Sequence, residues 1–194
     1  NNSLMNYTGA TSGDKACVEV YAAASGTQFG GVYLKWTSAS DNLFVKVQDN
    51  DGNGNFDRIF FLRDSGFIYN QACQGGFGIS SPFTSARLNV YLDGTTLKAD
   101  IDTNFDNTPD QSYSCAGAPA KSGTSLGLGI FGGTALDNFG IPPSTLTVTK
   151  TADTNDGVCD ADCSLREAIA AAASGDTINF ASPLFDSTQT ITLG

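Results

Sequence analysis

Between residues 17 and 141 apolar and polar residues alternate in eight short runs, and no run is long enough or of the right period for a helix. The runs are CVEVY (17–21), GVYLKW (31–36), LFVKVQ (43–48), RIFFLR (58–63), ARLNVYLD (86–93), TLKADI (96–101), SLGLGIF (125–131) and ALDNFGI (135–141). Turn residues separate them: Gly30-Gly31, the loop at 49–57, Asp93-Gly94 and Gly132-Gly133. Asp93-Gly94 between apolar runs is a two-residue hairpin signal. Eight short strands with no helix between them predict an antiparallel β-sandwich.

The pattern breaks at GIPPS (140–144), where two prolines mark a boundary between a first domain, 1–141, and a second piece, 142–194. Beyond it a strand is expected at TLTVTK (145–150), then an acidic loop, then the one convincing helix. Ser164 followed by Glu167 spells a capping box. LREAIAAAA continues as strong helix formers, with Leu165, Ile169 and Ala172 expected on one face and Ser174-Gly175 expected to end it. Strand character returns at DTINF (176–180) and TITLG (190–194).

The net charge is −10, from 20 acidic and 10 basic residues, and histidine is absent. Such a surface repels phosphate backbones and anionic membranes, which argues against nucleic acid as partner. No apolar run approaches the roughly 20 residues of a membrane span, so no membrane insertion is expected. The acids are almost all Asp; the only glutamates are Glu19 and Glu167. Asp suits turns and the oxygen coordination of hard cations.

That chemistry concentrates in DNDGNGNFD (49–57), with an oxygen-bearing side chain at every second position: Asp49, Asp51, Asn53, Asn55 and Asp57. DTNFDNTPD (102–110) repeats it through Asp102, Asn104, Asp106 and Asp110, and each loop follows a strand directly. Calcium is the expected cofactor of both, with a metal-free turn held by Asx side chains as the alternative. Neither is an EF-hand, since the twelfth residue from Asp49 is Phe60 and not a bidentate Glu. Asp153, Asn155, Asp156, Asp160 and Asp162 of a third, acidic loop could bind a cation, but read as solvated rather than ligating.

The cysteines stand at 17, 73, 115, 159 and 163. We expect Cys159–Cys163 and Cys73–Cys115 bridges, with Cys17 left over, in an extracellular or cell-surface setting. Zinc is the rival reading, weakened by the absence of histidine and of paired CxxC spacing. The chain opens NNSLMN without an initiator Met, which reads as a mature or excised segment.

The segments GVYLKWTSASDNLFVKVQDND, LNVYLDGTTLKADID and SLGLGIFGGTALDNFGI resemble the concanavalin A-like, laminin-G-like jelly roll over roughly residues 3–141. The resemblance implies sugar or protein binding or a spacer role, and some relatives are glycosidases. The usual opening strand before NNSL is missing. LTVTKTADTNDGVCDADCSLREAIAAAASGDTINF (146–180) resembles the CSLREA segment that opens right-handed parallel β-helix proteins on bacterial and archaeal surfaces. This implies a helix capping the open end of a β-helix, with DTINF and TITLG beginning its first coil, and supports the Cys159–Cys163 bridge. The fold class expected is therefore mainly β: a jelly-roll sandwich followed by the helix-capped start of a parallel β-helix.

Catalysis finds no support. Without histidine there is no triad, and a glycosidase needs two carboxylates about 5–9 Å apart. Asp100 and Asp102 are the best pair, yet they run into the second acidic loop. Sugar stacking could fall to Trp36, Tyr33 and Tyr69, with Phe29 and Phe77 as further ring faces. The preferred expectation is a non-enzymatic, calcium-supported structural or adhesive surface module of prokaryotic type; a calcium-dependent carbohydrate-binding module of a larger adhesin is the alternative. A missing opening strand and a lone terminal strand would together permit head-to-tail donor-strand filaments of the chain. A downstream β-helix is the other partner considered.

Overall fold

The computed structural model describes residues 3–7 (backbone), 12–64, 66, 70–142, 144–172 and 176–194. It divides into two compact units, Asn1–Pro142 and Pro143–Gly194.

The first unit is mainly β. Its strands are β1 (Ser3–Tyr7), β2 (Lys15–Tyr21), β3 (Gln28–Ser38), β4 (Asp41–Asp49), β5 (Phe56–Arg63), β6 (Phe77–Phe83), β7 (Ser85–Asp93), β8 (Thr96–Asp102), β9 (Gln111–Ala116), β10 (Ser125–Phe131) and β11 (Ala135–Gly140). They form two antiparallel sheets, ordered β1-β10-β3-β4-β5-β6 and β11-β2-β7-β8-β9. Hairpins build β3 to β6 and β7 to β9; elsewhere the chain crosses between sheets. The inward residues of both sheets make one core, with Val32, Leu34, Val45, Val47, Ile59, Phe61, Leu126 and Leu128 from one side and Val18, Val20, Leu88, Val90, Leu97 and Ile101 from the other. Period-two alternation then fixes the outward set of every regular strand.

Three strands carry no clear alternation. β1 lies against β10, with Met5 opposite Leu128, so it is Ser3–Tyr7 that borders this sheet. β6 contains Ser80, Ser81 and Pro82, and β9 reads QSYSCA; both are terminal strands of their sheets, where a proline and polar side chains are tolerated. These two edges are laced together. Gln111 Oε1 accepts from Ser80 Oγ (2.8 Å) and Ser81 N (3.1 Å), and the Cys73–Cys115 disulfide joins the same flank. Its 42-residue separation constrains the unfolded chain by about 4 kcal/mol.

The second unit holds β12 (Thr145–Val148), α1 (Leu165–Ala171) and β13 (Thr177–Phe180), with β12 and β13 paired in parallel, Thr145 opposite Thr177 and Val148 opposite Phe180. A small core of Val148, Cys163 and Ala168 is flanked by Leu146, Leu165, Ile178, Phe185 and Ile191. Two expectations are corrected. The helix buries Ala168, not Ile169, which is 58% exposed; Leu165 and Ala168 meet the small core, and Ala172 lies beyond the helix as its C-cap. Residues 190–194 form no strand. The Gly194 N–H donates to Asp153 (2.8 Å) and its carbonyl accepts from Arg166 (2.9 Å), while Ile191 packs on the small core. Ser174-Gly175 lies outside the described residues; α1 ends earlier, at Ala171, where Ala172 N–H donates to Ala168 O.

Candidate functional site

The two acidic loops are built alike, residue for residue. Asp49 and Asp102, each fully buried, end β4 and β8. Asp49 accepts main-chain N–H groups from Gly52 (2.7 Å), Asn53 (3.2 Å) and Gly54 (2.8 Å). Asp102 accepts from Asp106 (3.3 Å) and Asn107 (2.9 Å). Two residues on, Asp51 caps the N–H of Asn53 and Asn104 that of Asp106, both at 3.1 Å. The ninth residue closes the ring: Asp57 accepts from Asn50 N, and Asp110 from Thr103 N. The same two loop positions have positive φ, Gly52 and Gly54 in the first and Phe105 and Asn107 in the second. Glycine takes that conformation freely, whereas the second loop holds a bulky residue there.

For calcium the donor set is right in kind, all hard oxygens. Asp49, however, accepts four hydrogen bonds, the fourth from Gln28 Nε2 at 3.3 Å, which matches its lone-pair capacity. Burial pushes the Asp49 carboxyl up, but the N–H of Gly54, the Gln28 amide and the N–H groups of Gly52 and Asn53 outweigh it and hold it below the usual range. Among the described residues no three His, Cys, Asp or Glu side chains converge as metal ligands. Asp51, Asn55 and Asp57 keep oxygens less fully engaged.

Rings collect elsewhere, on the outward face of the six-stranded sheet. Pairing registers set three rows across β10, β3, β4 and β5: Gly127, Tyr33, Phe44, Leu62; Gly129, Gly31, Lys46, Phe60; and Phe131, Phe29, Gln48, Arg58. Tyr33 stacks on Phe44, with centroids 4.0 Å apart, and Phe29 stacks on Phe131 at 5.6 Å. Phe29 meets Phe44 edge-on at 6.2 Å. Gly129 makes the floor: a Cβ there would sit 2.7 Å from Phe44 Cζ and 3.0 Å from Tyr33 Cε2. Phe131 is 40% exposed.

Trp36 joins this face because of a bulge. Continuing the alternation from Val32 and Leu34 would aim Trp36 into the core. The register of β3 slips between Leu34 and Ser38, and that of β10 between Ser125 and Gly127. Lys35 takes φ +51°, a strained conformation for a non-glycine residue. It is held there by its N–H on Gly13 O (2.9 Å) and its ammonium on Asp14 (2.7 Å). Trp36 thus meets Tyr33 edge-on at 5.0 Å, outside the core. Beside it Thr37, Ser122, Gly123, Thr124 and Ser125 line a cleft of about 370 Å³. Hydroxyl groups and one large ring are what a sugar needs.

The outward face of the five-stranded sheet is different. Glu19, nearly buried, accepts from Arg87 Nη2 (3.0 Å), Tyr21 Oη (2.7 Å) and Asn138 Nδ2 (2.7 Å). Burial raises its carboxyl, but the Tyr21 hydroxyl, the Asn138 amide and the Arg87 guanidinium prevail and leave it below the usual value. Arg87 also donates to Asn107 of the second acidic loop. Asp100 accepts from Ser112 Oγ (2.6 Å) and Tyr91 Oη (3.1 Å), and Asp102 is committed to its loop. Each carboxylate of the best acid pair is therefore engaged in structure.

In the second unit Ser164 and Glu167 form a reciprocal, buried cap: Glu167 N donates to Ser164 Oγ (3.2 Å) and Ser164 N to Glu167 Oε2 (2.7 Å). Glu167 also accepts from Asp156 N at 2.9 Å, tying the acidic loop to the helix. Those hydrogen bonds, from Ser164 first, hold its carboxyl below the usual range. Cys159 and Cys163 are bonded, and Cys17 is free and buried. Asp153 pairs with Arg166 and Asp162 with Lys150.

Of the expected ring residues, Tyr33, Trp36 and Phe29 come together. Phe77 instead packs on the core against Phe61 and Tyr113. Tyr69 lies outside the described residues. Phe44, Phe60, Phe131, Lys46 and Arg58 were not singled out, since only the cross-strand register places them beside the others.

No family model matches the chain, and no curated protein does. Among solved structures, galectin-Ib of Xenopus laevis is similar over 71% of this chain and 100% of its own, at 9% identity and a TM-score of 0.42. A functionally unknown protein from Saccharomyces cerevisiae is similar over 69% of this chain and 72% of its own, at 9% identity and a TM-score of 0.24. Likenesses this distant carry no weight for function.

Proposed function

We propose that the sandwich, of jelly-roll type, is a non-catalytic extracellular carbohydrate-binding module whose ligand lies along the outward face of the six-stranded sheet. One observation carries this reading. A strained bulge turns Trp36 out of the core, beside a hydroxyl-lined cleft and at the end of a continuous row of rings. Strain is retained where it serves a function, and a ring face with neighbouring hydroxyl and amide groups suits the apolar face and the hydroxyls of a pyranose. The two disulfides fit an oxidising compartment. Calcium belongs to this proposal as an added ligand of loops that already hold themselves, through Asp51, Asn55 and Asp57. The parallel β12–β13 pair and its capped helix we read as the first coil of a β-helix. Head-to-tail strand exchange is not carried forward, since Ser3–Tyr7 borders β10 and residues 190–194 form no strand.

A glycan array probed in calcium and in chelator tests the reading. We expect binding by the parent chain, weakened about tenfold in Trp36→Ala and in Phe131→Ala, the scale of one lost ring contact. No glycan bound by the parent would leave a purely structural module, which the hydrogen-bonded loops and the laced sheet edges also suit. Released reducing ends would contradict the non-catalytic reading.

A further inference from the structure

Resting on the carbohydrate reading, we propose that the glycan is anionic and that its carboxylate or sulfate groups are met by Lys46 and Arg58. Five cations of the sandwich are neutralised by acids: Lys35 by Asp14, Arg63 by Asp64, Arg87 by Glu19, Lys98 by Asp93, and Lys121 by Asp41 and Asp64. Among the described residues Lys46 and Arg58 form no ion pair, in a chain of net charge −10. Acids are plentiful, and yet no described one lies within ion-pair distance of these two.

Both cations lie over the same ring. Lys46 Nζ is 5.0 Å from the centroid of Phe60 and 4.2 Å from that of Phe29; Arg58 Cζ is 5.9 Å from Phe60. Lys46 stands opposite Phe60 and Gln48 opposite Arg58, so the four residues make one patch in the ring field. The ammonium has one hydrogen bond, to Gln48 Oε1 at 2.6 Å, which leaves donors to spare. Arg58 donates through Nη2 to the neutral carbonyls of Gly75 and Gly76; its Nε–H is buried and has no acceptor among the described residues, so a ligand would meet the outer nitrogens of the guanidinium. Burial lowers the Lys46 ammonium below its usual value, so the charge is held at a cost that an incoming anion would relieve.

The chemistry also sets the size of the anion. Two cations over a ring suit one or two charged groups on a sugar chain, whereas a phosphate backbone engages about 6–10 contacts.

Titration with three oligosaccharides tests this: a galacturonate oligomer for carboxylate, a heparin-derived oligomer for sulfate, and a neutral galactan oligomer. We expect at least one acidic oligomer to bind about tenfold more tightly than the neutral one. Lys46→Gln and Arg58→Gln should each weaken it by about tenfold, Lys46→Arg should not, and molar salt should weaken it further. Binding of the galacturonate oligomer identifies a carboxylate; since heparin also carries uronate carboxylates, binding of the heparin-derived oligomer alone identifies a requirement for sulfate. If Lys46→Gln fails to fold, the acidic-to-neutral ratio and salt response of the parent chain, with Arg58→Gln against Arg58→Lys, still decide. Equal affinity for the neutral oligomer, or indifference to both Gln variants, would overturn the anionic proposal while leaving carbohydrate binding standing. A parent chain that binds none of the three and nothing on the array would remove both.

Discussion

On the five-stranded sheet Glu19 and Arg87 satisfy each other; on the six-stranded sheet Lys46 and Arg58 lie on rings and, among the described residues, form no ion pair. Glu19 takes three donors and Arg87 bridges onward to the second acidic loop, so this face is a closed network. Lys46 and Arg58 flank Phe60 across from Phe29 and Tyr33 on a face floored by glycine. Similar strands of one sandwich thus serve two ends. A face whose carboxylates and cations answer one another contributes stability, and a face with cations left over is free to recognise something else.

Stability should separate the faces most strongly. Glu19→Ala strands a half-buried guanidinium and should cost about 3 kcal/mol in urea unfolding, the scale of breaking a buried pair. Lys46→Ala should cost less than about 1 kcal/mol, since it removes ring contacts and no ion pair. Equal losses would erase the distinction.

The loops give the next largest effect, and here the two sheets should behave alike. Asp49→Ala and Asp102→Ala each leave main-chain N–H groups without acceptors and should each cost about 2 kcal/mol, Asp49 the more since the Gly54 N–H it holds is buried. Most of that loss should persist in chelator. Parent and mutant melting curves that coincide in chelator would make calcium, and not the hydrogen-bonded ring, the source of order.

Acid titration offers a smaller contrast. The folded-state pKa of Glu19 lies below its ordinary value of 4.5, so its stabilisation is complete above that value and is lost as pH falls through the lower folded one. Glu19→Gln should flatten the acid limb of the stability curve, and Lys46→Gln should not. Lys46 works in the other direction. Its depressed value means stability is gained as pH rises through the folded value toward 10.5, and Lys46→Gln should remove that gain.

The strands were legible where one side alternates cleanly, as in LFVKVQ and ARLNVYLD, because burial of one face enforces the period. β6 and β9 were not, since edge strands can be polar and contain proline. The two acidic loops were legible as a repeated spacing, though spacing alone cannot tell an oxygen that faces an ion from one that accepts a main-chain N–H. The helix was found through its Ser164–Glu167 cap, but its inward line missed by one position because a two-turn helix offers too few residues to fix a face. The ring field was the hardest to see. Trp36 could be named as a stacking ring, but the alternation of its strand points it inward until the bulge at Lys35 is known, and Phe44, Lys46, Phe60 and Phe131 become neighbours only through strand register.

The central claim is that recognition belongs to the six-stranded face, and amide chemical-shift mapping during titration with the galacturonate, heparin-derived and galactan oligomers tests it most directly. Perturbations should cluster at residues 29–36, 44–48, 58–60 and 122–131 for whichever oligomer binds. Perturbations clustered instead at 17–21, 87–91 and 98–112, with the ring face silent, would contradict it.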